Sequence, residues 1–259
     1  MIEARGIGAV LGGTKILHGV DFTARPGEMT VIVGPNGSGK TTLLRRLTGD
    51  LDGPGAVTLD AAPVAAMPPR LLALRRAVLQ QAVQVGFPFT LREVVRMGFE
   101  AGHSAHAPAV VDMAIAEVGL SAKADHFLHD LSGGEQARGH LARARAQIWQ
   151  PVTQGRACWL FVDEPVAALD IGHQILVMEV LRRFADTGGG VVAVMHDLNL
   201  TAMHADRVVL MSEGRVLADG PPEAVLTDDR LSAAYRSRIR INTAPAQGPW
   251  LLPQMAGRG

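Results

Sequence analysis

The 259-residue chain has a single cysteine, Cys158, and no excess charge of either sign, with 25 Lys+Arg against 25 Asp+Glu. One thiol excludes an internal disulfide framework and a cysteine-based zinc site, and it fits a reducing compartment. The charge balance argues against a nucleic-acid partner, because phosphate-backbone binding usually shows as a basic excess. It also supplies no general field toward anionic lipid. Long apolar runs are missing too. A spanning helix needs about 20 mainly apolar residues, whereas the densest run here is Val191 to Met195. Glu3 and Arg5 interrupt the first residues, so no secretory signal is expected there. These absences predict a soluble, cytoplasmic chain that reaches a membrane only through a partner. What is present, 47% hydrophobic residues, suffices for a globular core in one large domain or two small ones.

Residues Ala4 to Phe22 alternate loosely around Gly12-Gly13, which predicts two strands joined by a turn. Met29 to Val33 is an apolar, β-branched run, the pattern of a buried strand. Leu43, Leu44 and Leu47 then recur at helical spacing, with Gly49 as a stop. From about Thr90 to Gln147 strand signals fade. Leu91, Val94, Val95 and Gly98 suit one helix, and Val110, Met113, Ala114 and Val118 another. Strands return at Cys158–Val162, Val191–Met195 and Val208–Met211, with a helical stripe of Ile171, Ile175, Met178, Leu181 and Phe184 among them. Strand–helix alternation predicts a mostly parallel sheet covered by helices. Arg236, Arg238 and Arg240 alternate and read as a solvated strand face. The proline-bearing tail from Asn242 is expected to be poorly ordered.

Between the first buried strand and the helix of Leu43 lies Gly34-Pro35-Asn36-Gly37-Ser38-Gly39-Lys40-Thr41, followed by Thr42. Glycines at these positions let successive backbone N–H groups turn onto phosphate oxygens, and the helix directs its positive end to the same point. Lys40 adds a cation at the terminal phosphates, and the Thr41 hydroxyl is a ligand for Mg²⁺. A second acidic site, Asp163-Glu164, follows the Trp159–Val162 run. An aspartate at a strand end is placed to hold Mg²⁺, and the neighbouring glutamate to take a proton from an attacking water. Alone, such a pair is more often a solvated loop; beside a phosphate cradle the balance reverses.

Leu131-Ser132-Gly133-Gly134-Glu135-Gln136, between the cradle and the acidic pair, resembles the signature of the ABC (ATP-binding cassette) ATPases. The resemblance runs from about Ala4 to Tyr235, with the motifs in order. Gln81 fits the glutamine loop, Leu169-Asp170 the end of the dimer-interface loop, and His196 the switch histidine. The resemblance implies an α/β P-loop NTPase fold with a mostly parallel sheet core, an antiparallel β subdomain and a helical insertion. It implies one ATPase domain over 1–241, with a lobe at about 1–81 and 156–241 and an insertion at about 82–155, then a tail at 242–259. ATP and Mg²⁺ are the implied cofactors. A second copy of the chain would place Ser132, Gly133, Gly134 and Glu135 against the phosphates held by Lys40. Gln81 would sense Mg²⁺ with Thr41 and Asp163, His196 would position water near Glu164, and Asp170 would relay state across the interface.

Two positions depart from the family pattern. Leu11 stands where an aromatic usually stacks on adenine, so it packs on the base without a π-face. Ala167 stands where a hydroxyl is common in the dimer-interface loop. The single cassette without spanning helices resembles the detached ATPase subunits of bacterial importers for vitamin B12, ferric siderophores and haem. Phe87-Pro88-Phe89-Thr90 resembles the segment after the glutamine loop in that group, and the long Ile148–Cys158 connection with Trp149 resembles the haem importer ATPases. That resemblance implies a permease dimer as partner, touched by Phe87 and Phe89, and a periplasmic substrate-binding protein met only through the permease. It places the chain on the cytoplasmic face of the inner membrane, and no direct haem contact is expected. His103/His106 and His126/His129 read as solvated side chains. A ferric siderophore or vitamin B12 importer stays open, as does a non-transporting ABC ATPase. A regulatory subunit without hydrolysis is argued against by Lys40, Asp163, Glu164 and His196.

Overall fold

The computed structural model describes residues 1–80, 87–102, 109–167, 169–244 and 247–248. The chain opens with a hairpin of β1 (Ile2–Leu11) and β2 (Thr14–Ala24). Gly12 and Gly13 turn it with φ of 54° and 81°, the positive values a two-residue hairpin turn requires. Then come β3 (Met29–Val33), α1 (Lys40–Thr48), β4 (Ala56–Leu59), β5 (Ala62–Pro63), α2 (Pro69–Arg75) and β6 (Arg76–Leu79). Three helices follow, α3 (Leu91–Ala101), α4 (Ala109–Glu117) and α5 (Gly133–Gln147). A short hairpin, β7 (Val152–Thr153) and β8 (Arg156–Ala157), leads into β9 (Trp159–Asp163) and α6 (Ile171–Asp186). The chain continues through β10 (Gly190–Val194), α7 (Leu198–His204), β11 (Arg207–Ser212), β12 (Arg215–Gly220), α8 (Pro222–Val225) and α9 (Asp228–Tyr235).

The main sheet has the order β12-β11-β3-β10-β9-β6, parallel except for the β11–β12 edge pair. A separate antiparallel sheet has the order β2-β1-β4-β5. Alternation along the buried strands divides the core in two. Met29, Val31, Val33, Leu160, Val162, Val191 and Ala193 join the cluster that includes α3–α6. Ile32, Trp159, Phe161, Val192 and Val194 join the cluster of α1 and the antiparallel sheet. Strands apolar on both faces are what a sheet covered on both sides requires. The parallel strands β3, β9 and β10 end together, so the residues that follow them share one edge, where open α/β sheets bind ligands.

The structure differs from the sequence reading in several places. Arg236–Arg240 form no strand. Arg236 takes the left-handed conformation at the end of α9 and pairs with Glu213, while Arg240 pairs with Asp228 at 2.7 Å. The α6 stripe starts exposed at Ile171, and its fully buried part begins at Val177. Met113 is exposed on α4. The long connection before β9 carries the β7–β8 hairpin, and Cys158, buried just ahead of β9, donates its N–H to the Pro151 carbonyl at 2.8 Å.

Candidate active site

The loop from β3 to α1 is shaped by how closely it lies against its neighbours. At Gly34, φ is 149° and a Cβ would lie 2.1 Å from the Met211 carbonyl oxygen of β11. At Gly39, φ is 96° and a Cβ would meet Leu17 of β2 at 2.9 Å. Only glycine satisfies both the dihedral and the space. Gly39 is also the N-cap of α1 and leaves the cap without a side-chain acceptor, so the first N–H groups of α1 stay available to an anion. The Gly214 N–H of the β11–β12 turn donates to the Ser38 carbonyl at 3.0 Å and clasps the loop from outside. The buried Ser38 hydroxyl has no hydrogen-bond partner among the described residues, a polar atom inside the cradle left for an incoming oxygen.

Lys40 is buried, and its Nζ donates to the carbonyls of Gly34 and Pro35 at 2.9 and 3.0 Å. Burial lowers this ammonium below the ordinary lysine value, and the Glu164 and Asp163 carboxylates oppose that shift. The Thr41 hydroxyl donates to Asp163 Oδ1 at 3.2 Å. Burial raises the Asp163 carboxyl above its usual range, with the Thr41 hydrogen bond opposing. A hydroxyl and a buried carboxylate side by side are hard oxygen donors, and a cation would offset the cost of burying the charge. These residues therefore fit Mg²⁺.

Glu164 adopts φ of 51°, a left-handed conformation uncommon for a non-glycine residue and costing about 1–3 kcal/mol. Its N–H donates to the Val194 carbonyl at 3.0 Å, extending the β9–β10 ladder by one bond. The carboxylate is thereby turned across the strand ends, where Oε1 accepts from His196 Nε2 at 2.5 Å. His196 is held in turn because Asp197, next in the chain, caps α7 by accepting from the Asn199 and Leu200 N–H groups at 2.7 and 2.9 Å. A cleft of about 480 Å³ opens over these groups, lined by Ile16, Asn36, Gly37, Gly39, Lys40, Thr41, Thr42, Glu164 and His196.

The signature stretch is elsewhere. Ser132 is exposed at the N-cap of α5. Its Oγ accepts from the Glu135 N–H at 3.4 Å, and Glu135 Oε2 accepts from the Ser132 N–H at 3.0 Å. The Gly133 and Gly134 N–H groups at the start of α5 stay able to donate to a ligand, while the Ser132 side chain also bonds to the Glu135 carboxylate. Glu135 is held down to about 2 by hydrogen bonds from Lys123 first and the Ser132 backbone second. Asp170 caps α6, accepting from the His173 N–H at 2.9 Å.

One cleft thus gathers the loop residues with Lys40, Thr41, Thr42, Glu164 and His196, beside Asp163. Residues 131–136 are not among those lining it. Leu11, exposed at the hairpin turn opposite Thr14, is not among them either. The apolar wall of the cleft is Ile16, which the sequence reading did not select. No local pattern marks it, because Ile16 reaches the cleft only through the packing of β2 against the loop, where its neighbour Leu17 lies 2.9 Å from the position of a Cβ on Gly39. Gln81, His103, His106 and Ala168 lie outside the described residues. His126 and His129 are exposed, and no cluster of three metal-binding side chains occurs among the described residues. Nor is any helix among them long and apolar enough to cross a membrane.

Comparison with known proteins gives concordant likenesses. The ABC transporter family matches residues 17–167. A "Hemin import ATP-binding protein HmuV" from Jannaschia sp. (strain CCS1) is 52% identical over 259 residues, spanning 100% of this chain and 96% of that protein. A protein of the same name from Roseobacter denitrificans is 52% identical over 258 residues, covering 99% of each. Among solved structures, the ATP-binding subunit of an ABC transporter superposes with a TM-score of 0.76 at 20% identity, covering 92% of this chain and 94% of that one. That likeness concerns the fold.

Proposed function

The chain belongs to the ABC transporter family, and from that membership we propose that it is the ATP-hydrolysing subunit of a bacterial haem importer. One observation supports the catalytic part: Lys40, Thr41, Glu164 and His196 converge on a single cleft at the strand ends. The cargo rests on relatives, 52% identical over nearly their full length, that are named for hemin import.

In this reading the Gly34–Thr42 loop binds the triphosphate through backbone N–H groups, and Lys40 exchanges its loop carbonyls for phosphate oxygens. Thr41 and Asp163, with Gln81, would hold Mg²⁺, which would neutralise charge on the phosphate oxygens. Glu164 accepts the proton of the attacking water, and His196 orients both water and carboxylate. Catalysis is then positioning plus charge stabilisation. Ile16, with Leu11 nearby on the same hairpin, offers the base an apolar surface.

A second copy completes each site. Ser132 and Gly133 at the start of α5 are exposed in one chain, and the triphosphate in the partner's cleft is the anion they would meet. We assign residues 1–241 to one ATPase domain, with a lobe at about 1–81 and 156–241, an insertion at about 82–155, and a tail at 242–259. The pair would dock on a membrane permease dimer at the cytoplasmic face. The exposed Phe87, edge-on to Phe89 at 6.2 Å between ring centroids, is the contact favoured there. The periplasmic binding protein would be met only through the permease, and haem would not touch this chain.

The test is transport by the assembled complex in vesicles. ATP-driven hemin uptake, abolished by Glu164→Gln, is the expected result. Uptake of a ferric siderophore or vitamin B12 in place of hemin would reassign the cargo. Hydrolysis that no cargo stimulates would remove the importer role.

A further inference from the structure

The first turn of α5 presents a charge problem. Glu135 is ionised over the whole working pH range, and one of its oxygens is committed to the Ser132 N–H. In the proposed pairing a triphosphate on the other copy approaches this same turn. A fixed carboxylate there repels it and works against the helix N-terminus that attracts it. A neutral glutamine would complete the same capping box, yet the anion is present.

Lys123 offsets it. It ends the single turn Ser121–Lys123, and its Nζ donates to Glu135 Oε1 at 2.5 Å. The two carboxylate oxygens are thus divided, one on the Ser132 backbone and one on the ammonium. The turn is itself anchored, since the Lys123 carbonyl accepts the His126 N–H at 3.1 Å and the Lys123 N–H donates to the Leu120 carbonyl at 2.9 Å. Lys123 does not line the cleft of its own chain, so its effect falls on what the α5 turn meets.

We infer that Lys123 is a positioning residue for ATP-driven pairing: it neutralises Glu135 and holds the capping box so that Ser132 and the α5 N–H groups meet the partner's phosphates without a net negative charge. The inference rests on the reading that Ser132 faces the other copy's cleft.

The full chain carrying Glu164→Gln, which is expected to retain ATP, is sedimented with Mg²⁺ and ATP at low and high salt. Lys123→Met should weaken pairing by about fivefold per interface, hence about 25-fold for two, the scale of a partly exposed ion pair. The deficit should shrink toward 1 M salt, where the Debye length is about 3 Å. Binding of a fluorescent ADP analogue to the monomer should not change. Adding Glu135→Gln to Lys123→Met should restore pairing, because the unneutralised charge is gone and the cap remains. Undiminished pairing in Lys123→Met, a deficit insensitive to salt, or failure of Glu135→Gln to rescue would each overturn the inference. Ser132→Arg separates the two levels. If it blocks pairing while Lys123→Met does not weaken it, only the role of Lys123 falls; if it leaves pairing intact, the two-copy reading falls and the inference with it.

Discussion

Gly34→Ala perturbs the phosphate loop at its most constrained point. The new methyl would lie 2.1 Å from the Met211 carbonyl oxygen and 3.0 Å from the Ser38 hydroxyl. Ordinary C···O approach is about 3.3–3.6 Å, so loop and strand must separate by about 1.2 Å. The carbonyl cannot easily yield, because β11 is held between β3 and β12. Overpacking of this kind costs about 1–3 kcal/mol, and a φ reserved in practice for glycine adds about 1–3 kcal/mol. A loss of about 2–6 kcal/mol lowers the melting temperature by about 4–24 °C in a chain of this size. A shift of about 1 Å in the cradle is also of the size that costs about 10²-fold in positioned chemistry. Gly27→Ala is the control: its φ is 77°, a Cβ there meets nothing within 4 Å, and it lies outside the phosphate loop and the cleft, so only the dihedral cost of about 1–2 kcal/mol remains. Thermal unfolding and ATPase kinetics on both variants decide the matter. Equal effects from the two, or a Gly34→Ala protein as stable and active as the parent, would refute the argument from close approach.

Other expectations follow from the same geometry. Glu164→Gln should lower turnover by about 10²–10⁴-fold while ATP binding persists; near-normal turnover would place the base elsewhere. Thr41→Ala should raise the Mg²⁺ concentration needed for half-maximal turnover by at least about tenfold, and an unchanged Mg²⁺ titration would detach Thr41 from the metal. Burial pushes the Cys158 thiol above its ordinary range, so a thiol reagent should react only as the protein unfolds; rapid labelling of the native chain would contradict the buried placement.

The strands that build the site were legible because burial on both faces leaves a continuous apolar run. Met29–Val33 is such a run, and the structure returns it without a shift. The β12 edge strand was not, since Arg215–Gly220 has a single buried residue, Ala218, among exposed and half-buried ones and ends on glycine. The α2 helix was not read from the sequence; Pro69 opens it, where a missing N–H costs nothing. The phosphate loop and the Asp-Glu pair were legible as local patterns. Three features were not, because they depend on contacts between distant segments: the left-handed turn of Glu164 toward His196, the Ile16 wall, and the hold of Lys123 on Glu135. The alternating arginines misled for the opposite reason. Their spacing suits a strand, but Arg236 and Arg240 bond to Glu213 and Asp228 beyond the end of a helix.

The most direct measurement is proximity across the pair. Cysteines replacing Ser132 and Asn36 in the Glu164→Gln chain can be joined by a short bifunctional thiol reagent, with Cys158 silent in the core. Covalent dimers should form when MgATP is added and vanish without nucleotide or when either cysteine is alone. Absence of linked dimers at saturating MgATP, or linking indifferent to nucleotide, would contradict a site shared between two copies.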